Sequence, residues 1–202
     1  MQNIFPLFYF PPTAWFSMLL QEDAAVLLEV AAFYEKQQYL NRTLIQTSQQ
    51  PLALVIPIQR TKNKELYQDK KISYDVNWQT HHWRSIVTAY QSSPYFEFYA
   101  DKLRVFYEKK YTFLKDFNLE ILHFCLQTLR IEKEILLTSQ YQPSDFYKKD
   151  YRLAFPIHAA PICENVQLKP YMQVFGETFV PNLSVLDLIC NTGPRGVSFL
   201  TK

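Results

Sequence analysis

The chain has 202 residues, of which 48% are hydrophobic, 20% charged and 16% aromatic. This composition excludes a disordered chain and is typical of a globular protein, for which we predict one domain spanning 1–202. The 21 basic and 19 acidic side chains give a formal net charge of +2, which argues against a nucleic-acid partner.

Cysteine, histidine and glycine spacings exclude several common metal and cofactor sites. Cys125, Cys163 and Cys190 form no C-x-x-C pair, so neither a zinc knuckle nor a disulfide framework is predicted. The three glycines lack the spacing of a dinucleotide-binding or P-loop motif. No H-x-x-x-H or H-E-x-x-H pair occurs and the carboxylates are scattered, so we expect neither a metal nor a cofactor.

The first thirty residues predict a strand, a helix and a second strand. Residues 4–10 have an extended pattern, Pro12 or Thr13 opens a short helix, and the apolar run from Ala25 to Val30 has strand length. This unit favours a partly parallel sheet. Prolines interrupt the N-terminal apolar run and no basic segment precedes it, so we expect cytoplasmic residence without a signal peptide or membrane span.

A polar cluster follows the second predicted strand and contains Tyr34, Lys36, Asn41 and Arg42. Open α/β sheets bind ligands at the ends of their strands, so these four residues are candidate substrate-binding residues. Lys36 and Arg42 have the side chains to hold a phosphate or carboxylate. The alternative is an exposed loop with ordinary surface cations, which fits Lys36 better than Arg42.

The middle of the chain predicts a hairpin and then helices. Two β-prone runs, Thr43 to Gln46 and Leu52 to Ile58, are joined by a loop of about five residues. From Trp78 the apolar spacing becomes helical and predicts three helices, of which the strongest runs from Thr112 to Ile131. Ile135 to Thr138 then predicts a late strand. The expected fold is therefore α/β, with a mixed, partly parallel sheet, a β-hairpin and a three-helix segment.

The helical region that begins near Trp78 contains the candidate catalytic residue, His82. A helix from about Trp78 places Trp83 on a buried stripe and His82 at the edge of that stripe, while His81 faces the polar side. Histidine titrates near neutral pH, so His82 is a candidate general acid or base. The structural alternative is a histidine bonded to a backbone carbonyl. Ser93, followed by proline, predicts the N-cap of the next helix.

The chain from residue 140 onward contains a polar segment and a further helix. Gln140 to Asp150 is turn-rich and is expected to be a mobile surface segment. Ser184 and Asp187 predict a capped helix start, and Gly193 predicts its end. Four polar residues near this helix are further candidate substrate-binding residues: Tyr171, Gln173, Asn182 and Asn191. The two asparagines could instead cap the helix.

Five blocks of the sequence, in this order, resemble the WbqC-like family. They are Phe8-Tyr9-Phe10-Pro11-Pro12, Tyr34-Glu35-Lys36-Gln37 through Asn41-Arg42, His82-Trp83-Arg84, Ser93-Pro94-Tyr95-Phe96, and Pro181-Asn182-Leu183-Ser184-Val185-Leu186-Asp187-Leu188. The resemblance covers nearly the whole chain. It implies a bacterial cytoplasmic protein associated with O-antigen and lipopolysaccharide biosynthesis, through members in O-antigen gene clusters.

A glycine-transfer role suggested for the family implies a transferase, with an aminoacyl group as one candidate for the group transferred. The implied pocket has Tyr34, Lys36 and Arg42 on one side and His82 with the C-terminal block on the other. His82 would move a proton, and Arg84 joins the substrate-binding set. The expected partner is a small-molecule substrate that is sugar-linked. The donor, the acceptor and the oligomeric state stay open.

The sequence departs from the family pattern after Glu29. Relatives tend to carry histidine and other polar residues at the positions of Ala31, Ala32 and Phe33, which are apolar here. This departure leaves open a degenerate or redirected member. The rival hypothesis is accordingly a non-catalytic binding or assembly protein that uses an aromatic surface.

Overall fold

The computed structural model describes residues 2–36, 38–157, 161, 166 and 168–201. His158 and Cys163 therefore lie outside the described residues. In chain order the elements are β1 (Asn3–Pro6), α1 (Thr13–Leu19), β2 (Val26–Glu29), β3 (Arg42–Ile45), β4 (Leu52–Val55), α2 (Trp78–Tyr90), α3 (Phe96–Glu108), α4 (Leu114–Thr128), β5 (Ile135–Leu137), β6 (Lys149–Asp150) and α5 (Val185–Thr192). Short 3₁₀ turns lie at Tyr67–Asp69, Ser144–Phe146 and Gly193–Phe199.

The main sheet has four strands in the order β5-β2-β1-β6, and all three neighbouring pairs are parallel. Phe5 of β1 is in register with Leu28 of β2, and Asn3 of β1 with Lys149 of β6. All four residues of β1 are buried, as expected for a central parallel strand. The predicted strand–helix–strand unit is confirmed, and α1 forms its crossover.

The predicted hairpin is also confirmed. β3 and β4 pair antiparallel, with Arg42 opposite Val55 and Ile45 opposite Leu52. The parallel and antiparallel pairings thus lie in two separate sheets, which together with the helices give the expected α/β fold.

The three predicted helices of the middle region are α2, α3 and α4. The buried face of α2 carries Trp78, His82, Ile86 and Ala89, a spacing of four, four and three residues. The expected stripe through Trp83 is therefore displaced by one residue, since Trp83 is only half-buried. His82 consequently occupies the centre of the buried face instead of its edge.

The predicted N-cap at Ser93 is wrong, because the next helix begins later. The Ser93 hydroxyl donates to the Tyr90 carbonyl at 2.6 Å, which closes the end of α2. α3 begins at Phe96, and the preceding Tyr95 donates its N–H to the carbonyl of Cys190 at 3.0 Å. A backbone contact to α5 thus takes the place of a local cap.

The predicted start and end of α5 are confirmed. Ser184 is the N-cap, and its hydroxyl accepts the N–H of Leu186 at 3.2 Å. The helix ends at Thr192, and the C-cap residue that follows it is Gly193, which has φ of 59°. A Cβ atom at Gly193 would lie 2.5 Å from the Tyr95 ring, so both the backbone conformation and the close packing require glycine.

The order of the parallel strands indicates which edge of the sheet is suited to a ligand. The chain leaves β1 toward β2 on one side and later returns to β6 on the other side, so β1 marks a reversal of strand order. Open parallel sheets bind ligands beyond the carboxyl ends of their strands at such a reversal.

No helix in the described part of the chain combines the length and the apolar content needed to cross a membrane.

Candidate functional site

A cavity of about 360 Å³ opens at the carboxyl ends of β1, β2 and β6. We call it the strand-end cavity. Its lining residues are Pro6, Glu29, Ala32, Phe33, Glu35, Gln38, Leu40, Tyr67, Tyr141, Ser144, Asp150, Arg152 and Leu153. These residues come from four separate parts of the chain and converge because the parallel strands end at one edge of the sheet.

Glu29, the last residue of β2, is a buried carboxylate of the cavity that accepts four hydrogen bonds. One oxygen accepts the backbone N–H groups of Ala31 at 2.9 Å and Ala32 at 3.0 Å, together with the hydroxyl of Thr138 at 2.9 Å. The other oxygen lies 2.9 Å from Nη1 of Arg152. Because Glu29 is only 6% exposed, these bonds replace the water it would otherwise bind.

Arg152 follows β6 and joins two of the lining carboxylates. Its Nε and Nη2 donate to Asp150 at 3.0 and 2.6 Å, and its Nη1 donates to Glu29 and to the carbonyl of Gln142. The rings of Tyr141 and Tyr147 lie 4.9 and 5.2 Å from the guanidinium carbon. Burial alone would lower the pKa of Arg152, but the bonds to Asp150 and Glu29 outweigh it and raise that pKa.

The lining has an excess of negative charge. Its described residues include three carboxylates, those of Glu29, Glu35 and Asp150, and one guanidinium, that of Arg152. Burial raises the pKa of Asp150, but the hydrogen bonds from Arg152 outweigh this effect and the net pKa is lowered. Asp150 is therefore ionised at neutral pH.

Among the described residues, no group of three or more His, Cys, Asp or Glu side chains is arranged to hold a metal ion.

His82 lies in the aromatic core and does not line the strand-end cavity. Its Nδ1 is 3.1 Å from the Tyr9 hydroxyl, and its Nε2 is 3.2 Å from the carbonyl of Val55. Burial lowers the pKa of His82 to about 4. These surroundings favour a structural role, since the imidazole is held neutral and both nitrogens are bonded; the catalytic role stays a prediction.

The cluster predicted after β2 is spread over several environments. Lys36 is exposed, whereas Tyr34 is half-buried and burial raises its pKa to about 12. Asn41 is buried, and its side-chain amide donates to the carbonyl of Ile56 at 2.8 Å, extending the hairpin. Arg42 is half-buried at the start of β3. None of these four lines the strand-end cavity, although the neighbouring Phe33, Glu35 and Leu40 do.

The C-terminal candidates hold the last part of the chain together. The Tyr171 hydroxyl and the Gln173 amide donate to Oδ2 of the buried Asp187 at 2.7 and 2.8 Å. Asn191 donates to the Asp187 carbonyl within α5 at 2.8 Å. Burial raises the pKa of Asp187. Asp187 is thus an anchor for the segment around 171–180. The expectation that its side chain takes part in capping the start of α5 is wrong, because Ser184 alone provides that cap.

Arg84 lies apart from the other candidates. It is exposed on α2 and lines a smaller cleft of about 240 Å³ with residues that include Ser85, Thr88 and Phe175. The ten candidate residues therefore do not converge on one pocket, and none of them lines the strand-end cavity within the described residues.

Asn182 caps α1 from a distant part of the chain. Its Oδ1 accepts the N–H of Ala14 at 3.1 Å, and its φ is 58°. The alternative of a cap is thus realised on α1, not on α5. The preceding Pro12 has no side chain able to cap, so the bond must come from elsewhere.

We expect substitutions of Asn182 to separate the contribution of its hydrogen bond to Ala14 from that of its left-handed backbone conformation. Asn182→Gly should cost about 1 kcal/mol of unfolding free energy, because only the cap is lost. Asn182→Ala should cost about 1 kcal/mol more, because alanine disfavours the left-handed conformation. Urea denaturation measures both values. Equal stability of the two variants would contradict a conformational requirement at this position.

A sequence comparison matches the WbqC-like protein family over residues 8–172. The chain belongs to the WbqC-like protein family. It is also similar to the uncharacterized protein Rv1507c of Mycobacterium tuberculosis, with 24% identity over 221 aligned positions that cover 95% of this chain and 94% of that protein. No solved structure matches the chain.

The segment Ala31-Ala32-Phe33, at which a departure from the family pattern was expected, lies at the strand-end cavity. Ala32 and Phe33 line it, and Ala31 and Ala32 donate their N–H groups to Glu29. Sequence reasoning located this loop but selected Tyr34 and Lys36 in place of their neighbours. The strand end at Glu29 was the available signal, because a carboxylate that ends a buried parallel strand faces the edge where ligands bind.

Proposed function

We propose that the protein is a cytoplasmic transferase of O-antigen-type surface polysaccharide biosynthesis that binds a sugar-linked small molecule in the strand-end cavity. The observation that carries the proposal is the cavity of about 360 Å³ at the strand-order reversal, with charged groups converging on it. Cavities of this size and position typically hold small ligands. The polysaccharide context comes from the resemblance to the WbqC-like family.

The lining suits a sugar. Phe33 and Tyr141 are each 57% exposed and offer aromatic faces to a pyranose ring. The carboxylates of the lining can accept hydrogen bonds from the hydroxyl groups of a sugar. Hydrogen bonds to an ionised acceptor are stronger than those between two neutral groups. A cavity with converging polar groups favours the transferase over the rival assembly protein, which would need a continuous exposed aromatic patch.

An aminoacyl transfer, such as that of glycine, is the reaction we favour. A nucleophilic nitrogen or oxygen of the acceptor would form a bond to the acyl carbon, the bond from that carbon to the donor's leaving group would break, and the acceptor's proton would pass to a base. Glu35 is the best-placed base of the lining. It is exposed, and the bond it accepts from Gln38 at 2.8 Å leaves lone pairs for a proton.

A ligand screen with a matched pair of variants tests the proposal. We expect one class among sugar nucleotides, amino sugars, aminoacyl donors and CoA derivatives to raise the melting temperature, since a ligand at a hundred times its Kd adds about 2.7 kcal/mol. Phe33→Ala should weaken that binding about three- to tenfold through lost ring contact. Phe98→Ala is the control, because Phe98 is 75% exposed on α3 and does not line the cavity.

Failure of every sugar-bearing compound to shift the melting temperature would contradict the proposed substrate. Equal loss of affinity in the Phe33 and Phe98 variants would contradict the assignment of the cavity as its binding site.

A further inference from the structure

We infer that the strand-end cavity selects a ligand group that carries a positive charge, specifically a protonated primary amine such as that of an amino sugar. This inference rests on the proposed function only in taking the cavity as the substrate site. It names the chemical class of the group bound there and does not depend on which bond the protein makes or breaks.

The charges of the lining carry the inference. Three carboxylates, those of Glu29, Glu35 and Asp150, outnumber the one guanidinium among the described lining residues by two formal charges. In a partly enclosed cavity such an excess acts through a lower effective dielectric than bulk water and attracts a cation more strongly.

The single cation of the described lining is already engaged. Arg152 has five N–H groups, and at least four of them are occupied by Asp150, Glu29 and the carbonyl of Gln142. The guanidinium therefore cannot offer the two parallel N–H bonds that recognise a phosphate or carboxylate. An anionic group in this cavity would meet the unbalanced carboxylates.

The remaining walls also suit an ammonium group. Phe33 presents an exposed ring, and aromatic faces attract cations that lie within about 6 Å of the ring centroid. The Tyr141 ring already lies 4.9 Å from the Arg152 guanidinium, so Phe33 is the ring of the two that has no described cation against it. Glu35 is the carboxylate of the lining that makes no described bond to Arg152, so it is the first candidate to pair with the ligand's amine.

Isothermal titration calorimetry of the full chain with four probes tests the inference. The probes are glucosamine, glucose, cyclohexylamine and cyclohexanol, at a pH where both amines are protonated. We expect each amine to bind about tenfold more tightly than its hydroxyl counterpart, as one additional charge pair would give. Added salt should reduce this preference by screening.

The four probes separate the two hypotheses. A preference for both amines over both alcohols supports the inference, and it would stand even if cyclohexylamine bound as well as glucosamine, a result that would remove the sugar from the proposed function. Equal binding of glucosamine and glucose overturns the inference while leaving a sugar site intact. Absence of binding by both amines overturns it as well.

A pair of charge-neutralising variants locates the effect. Glu35→Gln should reduce amine binding several-fold more than it reduces glucose binding, because the amine loses a charge pair whereas a hydroxyl group loses only the charge on its hydrogen-bond acceptor. Glu108→Gln is the control, because Glu108 is exposed on α3, pairs with Arg104 at 2.6 Å and lies outside the cavity lining. An unchanged preference in Glu35→Gln would overturn the role of Glu35, and an equal loss in both variants would overturn the site.

Discussion

Replacing Glu29 with leucine is expected to lower the free energy of unfolding by about 3–5 kcal/mol, the cost of removing one member of a buried ion pair. Glu29 accepts four hydrogen bonds, three of them on one oxygen, and it is nearly inaccessible to water. Leucine would leave two backbone N–H groups without this acceptor and Arg152 with one carboxylate. The loss should exceed that of an ordinary surface substitution several-fold.

Glu29→Gln is the informative companion to the leucine variant. Its amide oxygen can still accept the N–H groups of Ala31 and Ala32, so its loss should be smaller than that of Glu29→Leu. Urea denaturation measures both, with Glu108→Leu as the surface control, for which we expect a change within about 0.5 kcal/mol. A Glu29→Leu variant as stable as the control would show that the network contributes nothing to folding.

Acidification is expected to destabilise the protein by about 3 kcal/mol through His82 alone, because its pKa falls from 6.5 to about 4 on folding. The unfolded chain takes up a proton at His82 below its ordinary pKa, whereas the folded protein resists protonation until the lower value. The neutral imidazole therefore contributes its full stability above the ordinary pKa, and this contribution is lost as the pH falls toward the folded value.

The measurement is unfolding free energy as a function of pH for the native chain and for His82→Gln. The glutamine variant should be less stable at neutral pH but should show a flatter slope across the acid range. His123→Gln is the matched control, since it makes the same substitution at an exposed position of α4. A native slope that persists in His82→Gln would contradict the buried neutral imidazole. Full activity of that variant would remove its predicted catalytic role.

Local patterns in the sequence were enough to predict most elements of the fold. The first strand–helix–strand unit, the hairpin, α4 and the capped start of α5 all follow from periodicity and turn residues. β6 could not be predicted, because Lys149 and Asp150 are polar and lie in a turn-rich segment. They form a strand only because β1 offers a free edge in register with them, and pairing of residues so distant in sequence leaves no local pattern.

The candidate site was harder to predict for the same reason. The loop after β2 was identified, but its cavity-facing members Phe33 and Glu35 alternate with the residues that were chosen. Asp150 and Arg152 reach the cavity only through β6, so no pattern near them indicates a site. His82 depended on helical phase, where a shift of one residue moved it from the edge of the buried face to its centre.

The central position of β1 has a consequence for how the molecule is made. β1 comes first along the chain, yet one of its edges is completed only by β6, near residue 150. At usual rates of synthesis the intervening stretch takes on the order of ten seconds to be translated. Throughout that interval the nascent sheet exposes an apolar, unpaired strand edge, which is the kind of surface that recruits chaperones and pairs wrongly with other chains. The exposed edge of β1 is therefore covered only when β6 pairs with it.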